Sequence, residues 1–377
     1  MKALRVFPIL LAGFLTLSLL LVAQGPVGRS SDPVARPKKG ADSAPTPEQQ
    51  KAPPIPSVFK RQPDAPADAP TFSVNASTVT VDVAVVDNKG HFIPNIPQGN
   101  FRITEDDVPQ KVSSFSMGEA PMTVALVIEF SNRYQQYLSE PWYQTLVASS
   151  EFLNTLRPMD YVAVVAYDLR PEILSDFSTD RRQAADAMSR MRFPAFSETN
   201  LYDALTDTAN RMQEIEGRKA IVLISTGVDT LSHMNFGEAR KAIQNAGVPI
   251  YSFGLMQTYR DLLYSYGAIS DSQRTDFIMA DNQLSTFSKE SGGMAFFPRF
   301  YGQFREIFQS IGQAMRTQYV LTYTPSNQVR DGKFRKIKVE LVDPATNKPL
   351  KVTDEKGKAL KFEIIAKRGY TAPRPVE

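Results

Sequence analysis

The chain of 377 residues has no cysteine and only two histidines, His91 and His233. These absences exclude disulfides, thiol nucleophiles, zinc sites of the Cys/His type, thioether-linked haem and a lipid-anchored cysteine behind a leader. Charge of one sign is missing too: 43 basic residues stand against 40 acidic ones, a formal net charge of +3. Nothing in that total points to nucleic acid or to a polyanionic partner. Internal repeats and coiled-coil heptads are also lacking. What is present is a 42% hydrophobic share, that of a globular protein, in a chain long enough for two ordinary domains with accessories.

The opening stretch, MKALRVFPILLAGFLTLSLLLVAQG, sets Lys2 and Arg5 ahead of an apolar run from Val6 to Ala23 that closes in small residues. Pro8 and Gly13 interrupt it, as in a secretory signal peptide. We expect residues 1–23 to be removed after Ala23 and the rest to be exported, to the periplasm, the cell envelope or beyond, with no membrane span in the mature form. The rival reading is an uncleaved anchor, since the run approaches bilayer-spanning length. Residues 24–70 are rich in Pro, Ala, Ser, Asp and Lys and poor in large apolar groups, which predicts a disordered, extended linker. Its role is either a spacer from a membrane or wall, or a simple export leader.

From residue 71 to 118 the pattern becomes period-two. Val79, Val81, Val83 and Val85 share one face of a strand that turns at Asp87–Gly90. Phe101, Ile103, Val108, Val112 and Phe115 are expected to point inward from the strands that follow. Such a small sheet is marginal alone. Alternating strands return in residues 318–371, with Ile337, Val339 and Leu341 on one face. The two flanks therefore predict one discontinuous β-sandwich. Between them, residues 119–317 alternate buried strands with helical stripes, such as Leu201, Leu205, Thr208, Ala209 and Met212, and with helix signals such as Gly247. That order predicts an α/β fold, a doubly wound and mostly parallel sheet inserted in the sandwich. The aromatic stretch YRDLLYSYG, Tyr259 to Gly267, is expected as an insertion that forms a partner surface or covers the sheet.

The stretch TVALVIEFSNR organises the middle domain. Thr123 to Glu129 reads as a strand buried on both faces, and Glu129, Ser131 and Arg133 follow at its carboxyl end, where open α/β sheets bind ligands. Together with TNLYDAL, KAIVLISTGVDT, GVPIYSFGL and YVLTYTPSNQVRDGKFRKIKVEL, this stretch resembles the von Willebrand factor type A domain, in the variant met in exported acidobacterial proteins. The resemblance runs from Val79 to Tyr370. It implies a fold of this class and a metal-ion-dependent adhesion site, in which an Asp-x-Ser-x-Ser loop, a Thr and a later Asp hold Mg²⁺ through oxygen ligands.

Matched to that pattern, Glu129 stands for the first Asp and Ser131 for the first Ser, while Arg133 replaces the second Ser. Thr199 matches the Thr, and Thr226 replaces the last Asp. A guanidinium beside a dication is repulsive, so the loop is expected to be degenerate and metal-free, with Glu129, Ser131 and Thr199 as residual metal ligands if any bind. Arg133 then either pairs with Glu129 in place of the cation or points to solvent. Asp203 caps its helix or pairs with Arg133, Asp229 is a solvated loop acid, and His233 is a surface histidine with no acid placed to make a triad. The acidic TEDD at Thr104 to Asp107 reads as a hairpin turn. No nucleophile and base are evident. The resemblance therefore implies a non-enzymatic protein that binds a protein partner through the loops after its parallel strands, and the competing class is a scaffolding component with an inert top face.

Overall fold

Eight consecutive residues with no exposed side chain form the central strand of the computed structural model. The model describes residues 78–374 apart from 89–91, 118–120, 133–139, 192–195, 216, 268–269 and 354–358, so the expected signal peptide, the linker and Arg133 lie outside the described residues. All described residues belong to one unit spanning 54–377.

Fourteen strands and seven α-helices occur among them. In chain order the first five strands are β1 (Val79–Asp87), β2 (Phe101–Glu105), β3 (Val108–Gln110), β4 (Val112–Met117) and β5 (Met122–Glu129). The α/β part continues with α1 (Glu140–Thr155), β6 (Tyr161–Tyr167), β7 (Pro171–Ser178), α2 (Arg181–Arg190), α3 (Leu201–Gln213), β8 (Arg218–Ser225) and α4 (Phe236–Ala246). It ends with β9 (Ile250–Gly254), α5 (Met256–Ser265), α6 (Asp271–Ser291), β10 (Ala295–Phe296) and α7 (Phe304–Arg316). The last strands are β11 (Tyr319–Tyr323), β12 (Phe334–Leu341), β13 (Phe362–Ala366) and β14 (Gly369–Thr371).

The central sheet has the order β10-β9-β8-β5-β6-β7, parallel except for β7. Helical stripes cover both faces. Phe152 of α1, Met188 of α2 and Phe308 and Ile311 of α7 pack on one side, and Leu205 of α3, Ile243 of α4 and Phe287 of α6 on the other. On α7 the buried Phe304, Phe308, Ile311 and Met315 recur at helical spacing, which places one stripe on the sheet. Helix ends are set locally: Asp180 caps α2, Asn235 with Glu238 forms a capping box on α4, and Gly247 closes α4 at φ 62°.

Two antiparallel sheets, β13-β1-β11-β4 and β14-β12-β2-β3, enclose a second core that includes Val81, Val83, Ile103, Tyr319 and Leu321. Strands from the two ends of the chain interleave, with β1 between β11 and β13 and β2 beside β12. A buried carboxylate ties them together: Tyr323 and Tyr370 both donate to Glu105 Oε2, at 2.7 and 3.0 Å. Burial and the Glu105 charge hold both phenols well above the ordinary tyrosine range.

Two expectations need correction. Val108 is 51% exposed, because it sits opposite Glu105 on the edge strand of its sheet, with no further strand beyond it among the described residues. The aromatic stretch after β9 lies on the helix α5 and the turn that follows it, and α6 starts behind a Ser270/Gln273 capping box. Tyr264 and Tyr266 do not cover the sheet, being 51% and 76% exposed. The TEDD turn is a hairpin as expected, with Asp106 and Asp107 at φ 47° and 65° and Asp106 Oδ1 accepting from Lys336 N.

The sandwich meets the sheet at a charged seam. Ala84, Val86 and Ile365 form its apolar part, with Met294 packed on them, and Asp82 lies among Lys367, Arg218 and Lys219. Burial, reinforced by the Lys367 charge and opposed by Asp82, brings the Lys219 ammonium down to about 8. Its unfolded-state value is about 10.4, so the unfolded chain binds more protons between these values and stability rises with pH across that window. We predict that wild type gains about 1–2 kcal/mol relative to Lys219→Met between pH 7 and pH 9.5, after allowance for solvent screening. Urea unfolding at both pH values checks this; a constant difference contradicts it.

Candidate functional site

Glu129 closes β5 with its side chain 3% exposed, between β6 and β8. A carboxylate in that position must find donors, because burying an unpaired charge costs several kcal/mol. Four reach it directly. Ser131 Oγ donates to Oε1 at 2.8 Å. Oε2 accepts from Thr226 N at 2.8 Å, from Thr226 Oγ1 at 2.8 Å and from Ser225 Oγ at 3.1 Å. Behind Ser225 stands Tyr167, whose hydroxyl donates to Ser225 Oγ at 2.8 Å and lies 3.3 Å from Oε2. Gly227 N also donates to Ser225 Oγ, at 2.8 Å. Burial first, and then the Glu129 charge, pushes the Tyr167 phenol well above its ordinary range, so it stays a donor.

Local backbone makes this possible. Residues Glu129 and Tyr167 are direct partners in the parallel pairing of β5 with β6. Gly227 has φ 79°, and a Cβ there would sit 2.7 Å from Ala280 O of α6. Only glycine lets the loop after β8 turn back against α6 and aim its amides inward.

Thr199 is fully buried but bonds elsewhere. Its hydroxyl donates to Val228 O at 2.7 Å, its N–H to Thr230 Oγ1 at 2.9 Å, and its carbonyl accepts from Thr230 N and Leu231 N. It fastens the loop that carries Thr226 and does not bond Glu129. The Asn132 N–H donates to Phe196 O at 2.7 Å, so the loop after β5 and the one before α3 are joined. Phe196 and Leu231 stand at the surface of these loops, 45% and 47% exposed.

Asp203 differs from expectation. Its carboxylate accepts from His233 N at 2.9 Å and Met234 N at 3.1 Å, with His233 Nδ1 at 2.8 Å. Burial pushes this carboxyl up, but the His233 amide and ring and the Met234 amide outweigh it, and the acid lies below the ordinary aspartate range. An acid is therefore placed beside His233 after all, 30 residues earlier in the chain. The adjacent Ser232 hydroxyl is engaged with Asp229 and Asn200. Nor is Asp229 merely solvated: Oδ1 accepts from Tyr202 N at 3.1 Å, at the start of α3. Among the described residues no group of three or more His, Asp or Glu is arranged to hold a metal ion.

The structure thus brings together Glu129, Ser131 and Thr226, with Thr199 one loop behind and Asp203 apart. Tyr167 and Ser225 escaped the sequence reading. Ser225 precedes Thr226 in the STG run, which is the signal that pointed nearest to it; Tyr167 becomes visible only through strand register.

Thr226→Val keeps the shape of the side chain and removes its hydroxyl bond to Glu129. We predict a loss of about 1–3 kcal/mol in stability, the cost of leaving a buried carboxylate short of a donor. Urea unfolding measures it, and a change below 0.5 kcal/mol (about the scatter of neutral surface changes) contradicts the assignment.

Residues 124–228 match the family model of the von Willebrand factor type A domain. No curated protein matches the sequence. Solved structures with a similar fold include proximal thread matrix protein 1 from the mussel byssus, 12% identical with a TM-score of 0.41. That alignment covers 56% of this chain and 51% of the mussel protein, about half its length. The vWF domain of the type V pili tip protein Mfa5 from Porphyromonas gingivalis is 15% identical, with 52% of this chain and 95% of that one covered and a TM-score of 0.40. A von Willebrand factor type A protein from Catenulispora acidiphila is 12% identical over 80% of this chain and 76% of its own, with a TM-score of 0.40. The family match runs from β5 through β8, the strands that meet around Glu129, and this chain carries a von Willebrand factor type A domain there.

Proposed function

We propose that this is an exported, non-enzymatic protein of the acidobacterial variant, residing in the periplasm, the envelope or outside the cell, that binds a protein partner through the loops above β5 and β8 without a divalent cation. One observation carries the metal-free part: the oxygens of Glu129 are taken by Ser131, Ser225 and Thr226. An octahedral Mg²⁺ site calls for several oxygen ligands converging on one point. Here Thr199 bonds Val228, Asp203 holds His233 and Asp229 meets α3, so the donor set of the described residues does not fit the ion. Among the described residues, no helix is long and apolar enough to cross a membrane.

Contact with a partner is supported by Phe196 and Leu231, large apolar side chains exposed on the loops that enclose Glu129. Exposed aromatic and aliphatic anchors beside a rigid polar centre suit protein recognition better than chemistry. Capture of partners from envelope extract tests this reading. Recovery is expected to survive EDTA and to fall at least tenfold for Phe196→Asp combined with Leu231→Asp. Loss in EDTA, or equal recovery with the double variant, contradicts it.

A further inference from the structure

A second surface lies at the other end of the parallel strands from Glu129. The carboxyl-terminal turns of α4 and α6, with β12 and β13, enclose a groove of about 580 Å³ between the α/β layers and the sandwich. Its apolar lining comes from Ile337, Val339, Ile364, Ile365 and Ala366, with Phe334 beside them. Around these stand six cationic side chains, Arg240, Lys289, Lys336, Lys338, Lys367 and Arg368, against two acids, Glu290 and Glu363.

The acids are already engaged. Glu290, 5% exposed, accepts a two-pronged contact from Arg240 and further bonds from Gln244 at 2.7 Å and Arg368 at 3.3 Å. Glu363 faces Lys289 at 3.4 Å, and Lys338 pairs outside the groove with Glu340 at 2.8 Å. Among the described residues, Lys336 is exposed and makes no ion pair, and Lys367 has Asp82 as its nearby opposite charge. The groove therefore keeps a positive excess that its own acids do not cancel.

It also keeps a strand edge. Among the described residues β13 pairs only with β1, and its residues Glu363 to Ala366 line the groove. The other sheet edges are short, protected or poorly charged: β7 opens with Pro171 and carries Glu172 and Asp176, β3 contains Pro109, β10 has two residues, β14 has three with no charge, and β4 is irregular beside Ser113 with no charge from Val112 to Met117. Among the described strands, β13 alone combines an open ladder with an apolar floor and a cationic rim.

We propose that this groove docks an acidic, extended segment of a partner protein, which adds to β13 as a further strand. Main-chain bonds to the β13 edge would supply affinity, and alternation would supply selectivity, one set of side chains lying on the aliphatic floor and the other reaching the rim. Acidic residues on the second set complement Lys336, Lys367 and Arg368. A polyphosphate or nucleic acid would satisfy the rim but leave the strand edge unpaired and the aliphatic floor uncovered.

The test is fluorescence anisotropy of the full chain at low salt with a labelled peptide alternating Val and Glu over seven residues. Saturable binding is expected, weakened at least tenfold by Lys336→Glu and less by Lys336→Gln, each shown to be folded by an unchanged unfolding midpoint. N-methylation of alternate amides, which leaves the charge intact and removes strand donors, should abolish binding in at least one of its two patterns. Absence of saturation at millimolar peptide overturns the proposal. So does indifference to both N-methylated patterns, or equal competition by inorganic polyphosphate, since either marks a general polyanion surface. Phe196 and Leu231 are remote from this groove, so their variants report on the upper loops alone.

Discussion

Everything at the upper end of the domain depends on one buried carboxylate. Glu129 ends a strand with no exposed side chain, so it either receives hydrogen bonds or destabilises the sheet. The donors come from three chain segments, the turn after β5, the end of β6 by way of Tyr167, and the turn after β8. Each loop is positioned by serving the acid, and each then positions something further. Gly227 lies against α6, Thr199 grips the segment from Val228 to Leu231, and Asn132 holds Phe196 in place. A hydrogen-bonded carboxylate thus organises the face that a cation is implied to organise in related domains.

The lower end follows a different logic. Both ends of the described chain enter the same sandwich, so the sheet between them is held at its base by strands far apart in sequence. Glu290 binds α4 and α6 to the segment linking β13 and β14, and Gly292 passes so close to that segment that an added Cβ would meet Lys367 N at 2.7 Å. Charged groups at this seam are costly to bury, and Asp82, raised by burial despite three nearby cations, shows the cost directly. The same excess of cations gives the adjoining groove its electrostatic character.

Much of this was legible in the sequence where the signal was local. The apolar run of β5, the stripe on α3 and the glycine closing α4 each depend on residues within a few positions of one another. The interleaved sandwich followed from a shortage of strands on either flank. Signals that depend on the fold were not legible. Tyr167 reaches Glu129 only because parallel register sets them side by side, and Asp203 meets His233 across 30 residues because α3 and α4 pack together. Val108, expected to point inward, lies on an outer strand, and Tyr264 and Tyr266, in a stretch expected to cover the sheet or meet a partner, are exposed. Position in the sheet, not pattern, decided those cases.

The central claim is that Glu129 is satisfied from within the chain. Isothermal titration of the folded protein with Mg²⁺ and then Mn²⁺ at neutral pH measures this most directly. No saturable heat is expected from either ion, for wild type or for Glu129→Gln. A saturable binding isotherm that disappears in Glu129→Gln would contradict the account.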